Sequence, residues 1–189
     1  MDSMWNLILV NKEHPLPKDF QVKLTTLPNG EAVDTRIYPA LMQLLHAAEA
    51  DGIALYVSCG HRSYQVQELL VDINIQNRIK RGLSEKEAVE YVKKLVAAPG
   101  ESEHQLGLAV DFQADAAKST SAEIYEWLAL HAHMYGFILR YSEEKVDITG
   151  FRYEPWHFRY VGIEVAKVIY EKELCLEEYL EEKYGSKES

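Results

Sequence analysis

Two short stretches of the chain carry side chains able to hold a metal ion and use it. In SEHQLGLAVDF, His104 stands seven residues before Asp111; in EPWHFRYVG, Glu154 stands three residues before His157. Neutral imidazole and carboxylate are the usual ligands of a catalytic zinc, which takes three protein side chains and leaves one position for water. His104, Asp111 and His157 would supply that set, with Glu154 left over as a carboxylate above the metal.

The spacing constrains the backbone. His104 and Asp111 are an odd number of residues apart, so one flat strand would point them to opposite faces. Gly107 between them can supply a bend or bulge that lets both reach one ion. Pro155 keeps Glu154 and His157 off a regular helix and predicts a loop that feeds a strand. Either segment alone is a weak signal; both together, each followed by a β-rich run, are much less easily produced by chance. The other histidines carry less. His131 and His133 form an HxH pair, but on a helix they lie about 200° apart and cannot share a metal. His46 sits in an apolar helix, His14 in the N-terminal arm, and His61 beside Arg62. Among Tyr153, Trp156, Phe158 and Tyr160, alternation along a strand makes some core, and Trp156 is the one read as facing a substrate pocket.

The elements that must position these residues are legible in outline. Helical apolar spacing covers Tyr38 to Ala50, with Gly52 as an end signal. IALYVSC reads as a buried strand running into GHRSY, and a helix follows from about Tyr64 to Lys80. Ser84 with Glu87, and Thr120 with Glu123, are capping-box pairs; the first predicts a helix to about Ala97, stopped by Pro99 and Gly100, and the second one closed by Gly136. FILRY and WHFRYV read as strands, WNLILV as a short strand opening an arm over residues 1–20, and Ile163 and Leu176 as starts of two last helices. Helices and strands mix without βαβ alternation, which predicts an α+β domain with a small, mainly antiparallel sheet. Residues 1–189 are read as one domain, with 163–189 as C-terminal helices and an acidic tail.

Composition narrows the partners. With 189 residues, 47% of them apolar and 26% charged, a core can form without staples. A formal charge of −10 leaves no basic stripe for nucleic acid. The acidic run EKELCLEEYLEEKYGSKES reads as a solvated helix face. Two cysteines, Cys59 and Cys175, stand far apart and read as unpaired and not as ligands. No apolar run reaches the ~18 residues of a membrane-spanning helix. The start at Met1 without a secretory signal favours cytoplasmic action on soluble precursors; an anchor removed upstream would shift that to the cell envelope.

The segments GHRSYQVQ, PGESEHQLGLAVDF and YGFILRY…YEPWHFRYVG resemble the VanY-type D-alanyl-D-alanine carboxypeptidases, and the VanXY dipeptidase/carboxypeptidases especially, from about Leu9 to about Gly162. The resemblance implies an α+β, Hedgehog/DD-peptidase-like zinc peptidase fold holding one zinc ion per chain. It puts the metal ligands on His104, Asp111 and His157, the general base on Glu154, and the substrate-polarising arginine on Arg62. Ser102 matches a position that helps hold the substrate's terminus, and Gln67 a glutamine near the pocket. Where the family commonly has Gly-Tyr-Arg, this chain has Gly60, His61 and Arg62, an imidazole in place of a phenol. The implied substrate is a small peptide ending in D-Ala-D-Ala, as in peptidoglycan precursors, and the implied role is in vancomycin-type glycopeptide resistance. The alternatives are an L,D-carboxypeptidase trimming tetrapeptide stems, a phage-type endopeptidase, and a non-catalytic zinc-binding module such as the Hedgehog-like domains. Glu154 beside an intact ligand set speaks against the last, since a structural site needs no base. Oligomeric state is not legible.

Overall fold

The computed structural model describes residues 4–185. Its centre is a four-stranded antiparallel sheet in the order β3(Leu55–Cys59)-β4(Ala109–Ala114)-β6(His157–Tyr160)-β5(Phe137–Leu139). Antiparallel strands show alternate side chains to opposite faces, and this sheet uses the two faces differently. Val57, Val110, Phe112, Phe137 and Phe158 point into the main hydrophobic core against Leu41 and Leu44 of helix α1 (Tyr38–Ala50) and Leu128 of α4 (Ser121–His131). The opposite face carries Asp111, His157 and Arg159.

A small hairpin of β1 (Leu24–Thr26) and β2 (Ala32–Asp34), turning through Pro28, Asn29 and Gly30, was not anticipated. It backs the site: Glu31 accepts the Gly60 N–H at 2.8 Å, and Asp34 donates its backbone N–H to Gly107 at 2.9 Å. The predicted helix over 64–80 is α2 (Tyr64–Lys80), capped by Ser63. Both capping boxes form, at the starts of α3 (Glu85–Val92) and α4. Helix α3 stops at Val92, short of Ala97, because the chain turns there to lay Ala97 against α2. WNLILV is not a strand: Trp5–Leu7 form a 3-10 turn, and the carbonyls of Asn6 and Ile8 accept from Arg159. A short helix α5 (Val146–Thr149) precedes the second motif, and α6 (Ile163–Glu171) and α7 (Leu176–Tyr184) begin where the sequence predicts.

The acidic run is not wholly a solvated face. Glu177 turns inward to pair with Arg140, because a buried arginine must be neutralised, and Glu178 caps the Cys175 N–H and pairs with Lys145. Residues 186–189, the end of that run, and 1–3, the start of the arm, lie outside the described residues. Among the described residues no helix is long and apolar enough to cross a membrane. Cys59 and Cys175 are free thiols.

Candidate metal centre and active site

The site is a row across the sheet with one residue added from a turn. Cys59 pairs with Asp111 on the neighbouring strand, and Asp111 pairs with His157 on the next. Directly opposed residues of antiparallel strands share a face, so Asp111 and His157 must point the same way. Cys59 joins them only because β3 shifts register between Val57, which faces the core opposite Phe112, and Cys59.

His104 is on no strand. It lies in a buried 3-10 turn, Glu103–Leu106, ended by Gly107 at φ +68°. A Cβ at Gly107 would stand 2.8 Å from the Asp34 nitrogen, so glycine is required both by conformation and by space. The bend predicted at this glycine is thus a turn placed before the strand, and it solves the parity problem without a bulge in β4. Gly60 is needed for closeness: a Cβ there would overlap the Ala32 carbonyl. The Gly60 carbonyl accepts from His104 Nδ1 at 2.7 Å, which turns Nε2 outward as a lone pair.

Asp111 Oδ1 is the common vertex, 3.4 Å from His104 Nε2 and 3.0 Å from His157 Nδ1. The two rings meet edge to face with centroids 4.9 Å apart. Ligands ~2.0–2.1 Å from a tetrahedral zinc stand roughly 3.3–3.4 Å from one another, so the His104–Asp111 edge suits one ion and the His157–Asp111 edge is a few tenths of an ångström shorter. His104 Nε2 is buried without a hydrogen-bond partner, which is the state of a ligand nitrogen facing a cation. The donor set therefore fits a divalent metal. Cys59 also lies close, and its donor atom groups with those of His104 and Asp111 within 4.8 Å. Its sulfur is 3.9 Å from His104 Nδ1, the nitrogen already used by Gly60, so the thiol sits behind the ring.

Electrostatics match a cation site. Burial opposes ionisation of Asp111, but the charges and hydrogen bonds of His104 and His157 hold it well below the usual carboxylate range. Burial also works against a charged His157, yet the flanking carboxylates of Asp111 and Glu103 push it up to about 9. His104 is raised against its burial by Asp111, with Arg62 pulling the other way.

Glu154 follows the opposite logic. Burial, reinforced by the charge of Asp111 and opposed by His157, raises it above the ordinary range. A carboxyl raised by its surroundings is suited to exchanging protons near neutral pH. Its backbone is fixed by a bond from the Glu154 N–H to Tyr141 and one from the His157 N–H to Glu154, both 3.0 Å, so the turn through Pro155 locks Glu154 and His157 together.

Arg62 donates its backbone N–H to the His104 carbonyl at 3.2 Å, and its Nε is a buried donor without a partner. Ser102 is buried just before the His104 turn. Gln67 is buried and ties α2 to the Ala97 carbonyl through its amide nitrogen at 2.7 Å, while its oxygen lacks a partner. Trp156 is half-buried at the entrance to β6, where its carbonyl accepts the Phe112 N–H. Among the described residues, no side-chain hydrogen bond joins Ser102, Gln67 or Trp156 to His104, Asp111 or His157. His131 stacks on Trp127 and His133 on Tyr170, so the HxH pair is divided between two aromatic partners.

Residues 30–163 match the family model VanY, D-alanyl-D-alanine carboxypeptidase. The chain belongs to the VanY family. A D-alanyl-D-alanine carboxypeptidase of Enterococcus faecalis (strain ATCC 700802 / V583) is 47% identical to this VanY-family chain over 93% of its length and 66% of the relative's. The chain thus spans just under two thirds of that relative. The crystal structure of a mutant vancomycin-resistance D,D-pentapeptidase VanY from a VanB-type cassette, in complex with Zn(II), superposes with a TM-score of 0.89 at 47% identity, covering 93% of this chain and 99% of that one. VanYB in complex with D-alanine-D-alanine gives 0.89 at 45% identity, covering 97% and 99%.

Sequence reasoning missed Glu103, Arg140, Arg159 and Glu177, a buried ionic cluster beside His157. A signal was present: FILRY and HFRYV each place an arginine in a β-rich apolar run, and a buried arginine demands an acidic partner.

Proposed function

We propose that this chain is a zinc-dependent D,D-carboxypeptidase that removes the terminal D-alanine from peptidoglycan precursors ending in D-Ala-D-Ala. The observation that carries the reading is the shared Asp111 oxygen, 3.4 and 3.0 Å from two imidazole nitrogens, with the half-buried Glu154 three residues before one of them. The zinc and D-Ala-D-Ala complexes of similar family members support it.

His104, Asp111 and His157 would hold the zinc, which when bound supplies Lewis acidity toward a carbonyl and toward water. Glu154 takes the proton of the attacking water and returns it to the departing amine, base first and acid second. Arg62 presents its unpaired Nε–H to the oxygen that becomes anionic as the carbonyl carbon is attacked. Ser102, with nearby backbone N–H groups, holds the small terminal carboxylate, and Gln67 and Trp156 border the pocket. Loss of D-Ala-D-Ala termini removes the target of glycopeptide antibiotics, which is the route to vancomycin-type resistance.

The test compares hydrolysis of the D-Ala-D-Ala dipeptide, a pentapeptide ending in D-Ala-D-Ala and the matching tetrapeptide, with chelator and after zinc is restored. Zinc-dependent release of D-alanine from the pentapeptide is the expected result, and cleavage of the dipeptide as well adds dipeptidase activity. Cleavage of the tetrapeptide alone would replace the proposal with an L,D-carboxypeptidase. Turnover indifferent to chelation would overturn the metal mechanism.

A further inference from the structure

His157 is held from both sides, and only one side is the metal's. Its Nδ1 faces Asp111 at 3.0 Å; its Nε2 faces Glu103 Oε2 at 3.6 Å. Both Nε2 and that oxygen are buried without a hydrogen-bond partner, and the gap exceeds hydrogen-bond length by only a few tenths of an ångström. The other oxygen of Glu103 accepts from Arg140 Nε at 2.8 Å and Arg159 Nη1 at 3.0 Å. Arg140 then makes a two-pronged pair with Glu177 of α7, at 2.9 and 2.6 Å. Two carboxylates and two guanidiniums form a closed, charge-balanced cluster, and Glu103, Arg140 and Arg159 are each nine-tenths buried or more.

We infer that Glu103 is a positioning residue that fixes His157 with Nε2–H inward and the Nδ1 lone pair toward the metal, and that α7 belongs to the metal site through the chain Glu177–Arg140–Glu103–His157. The physical reason lies in the imidazole. Only one tautomer leaves Nδ1 free to bind a cation, and a carboxylate against Nε2 selects it. A carboxylate so deeply buried keeps its charge only beside cations, and the guanidiniums of Arg140 and Arg159 both donate to Glu103 Oε1. Arg140, in turn, is buried with its outer edge covered by Glu177. The C-terminal helix lies outside residues 30–163, so the metal site reaches beyond the segment that defines the family.

This inference rests on His157 being a zinc ligand, and its test separates the two ideas. Zinc affinity is measured by chelator competition on the full chain, beside the melting temperature of the metal-free protein, for wild type, Glu103→Gln, Glu177→Gln and Glu182→Gln. The last lies on the same helix as Glu177 and breaks only an exposed pair with Lys172 at the end of α6. Glu103→Gln should weaken zinc binding roughly 10–100-fold, the range for outer partners of ligating histidines. Glu177→Gln should weaken it less, and Glu182→Gln not at all. Nitrogen NMR of the zinc-loaded wild type should place the His157 proton on Nε2. If Glu103→Gln and Glu177→Gln lower the melting temperature but bind zinc as wild type does, the cluster is structural only and the inference fails. Should Glu103→Gln not fold, Glu177→Gln decides. Wild type that binds no zinc sinks the proposed function instead.

Discussion

Strands β4 and β6 bury Ala109, Val110, Phe112, His157, Phe158 and Arg159 within ten residues, whereas α2, the longest helix, buries Gln67 alone. Its neighbour α3 buries Ala88 and Val92, and a cavity of about 370 Å³ lies between the pair, lined by Val71, Ile75, Val89 and Val92. Along α2, Val66, Leu69 and Ile73 are about half exposed. The three candidate ligands therefore stand on or beside deeply buried strands, while Gln67 stands on a largely exposed helix and Arg62 at the junction between the two. A ligand set must be fixed before an ion can bind with useful affinity, so it belongs on rigid elements. A group that only meets substrate tolerates a looser support, and regions with few buried contacts open at lower free energy.

Substitutions can break this contrast or sharpen it. The largest expected effects are on the sheet side. Glu154→Ala should keep zinc and lose nearly all turnover, by ~10²–10⁴-fold or more, whereas His104→Ala should lose both; metal analysis beside kinetics separates them. Retained turnover in the Glu154 variant removes it from the mechanism. Phe112→Ala, beneath Asp111 in the core, should cost ~3–5 kcal/mol of global stability by denaturant unfolding and weaken zinc binding with it. Unchanged zinc affinity in that variant would mean that core packing does not set the ligand geometry.

At the junction, Arg62→Ala should lower kcat by ~10²–10³-fold, about 3–4 kcal/mol, with zinc content unchanged. If zinc content falls first, Arg62 is structural and belongs with the sheet. The smallest effect is expected within the helical pair. Ser84→Ala removes the cap of α3 and should cost ~0.5–2 kcal/mol, visible as faster hydrogen exchange confined to α2 and α3. Exchange that quickens equally in β4 and β6 would show the two regions to be one cooperative unit and erase the comparison.

Both motifs, and the elements around them, could be read from the chain because their signals are local. Capping boxes at Ser84 and Thr120, the punctuation at Gly107 and Gly136, and a helix from Tyr64 to Lys80 depend on neighbours within a few residues. The hairpin at Pro28–Gly30 was missed because its strands are three residues each, too short for alternation to register. WNLILV has strand composition but becomes a 3-10 turn, since the carbonyls of Asn6 and Ile8 are taken by Arg159, more than 150 residues away.

The sequence by itself determined which side chains could bind a cation, that a mainly antiparallel sheet would carry some of them, and that Glu154 would stand three residues before His157. Tertiary structure alone decided that Cys59, Asp111 and His157 form one row, that the Gly60 carbonyl turns His104 Nε2 outward, and that Glu177 of an apparently solvated acidic run reaches inward to the charges behind His157. The reason is that strand register and the neutralisation of buried charge are set by partners far apart in the chain, and no local pattern encodes which distant group will arrive.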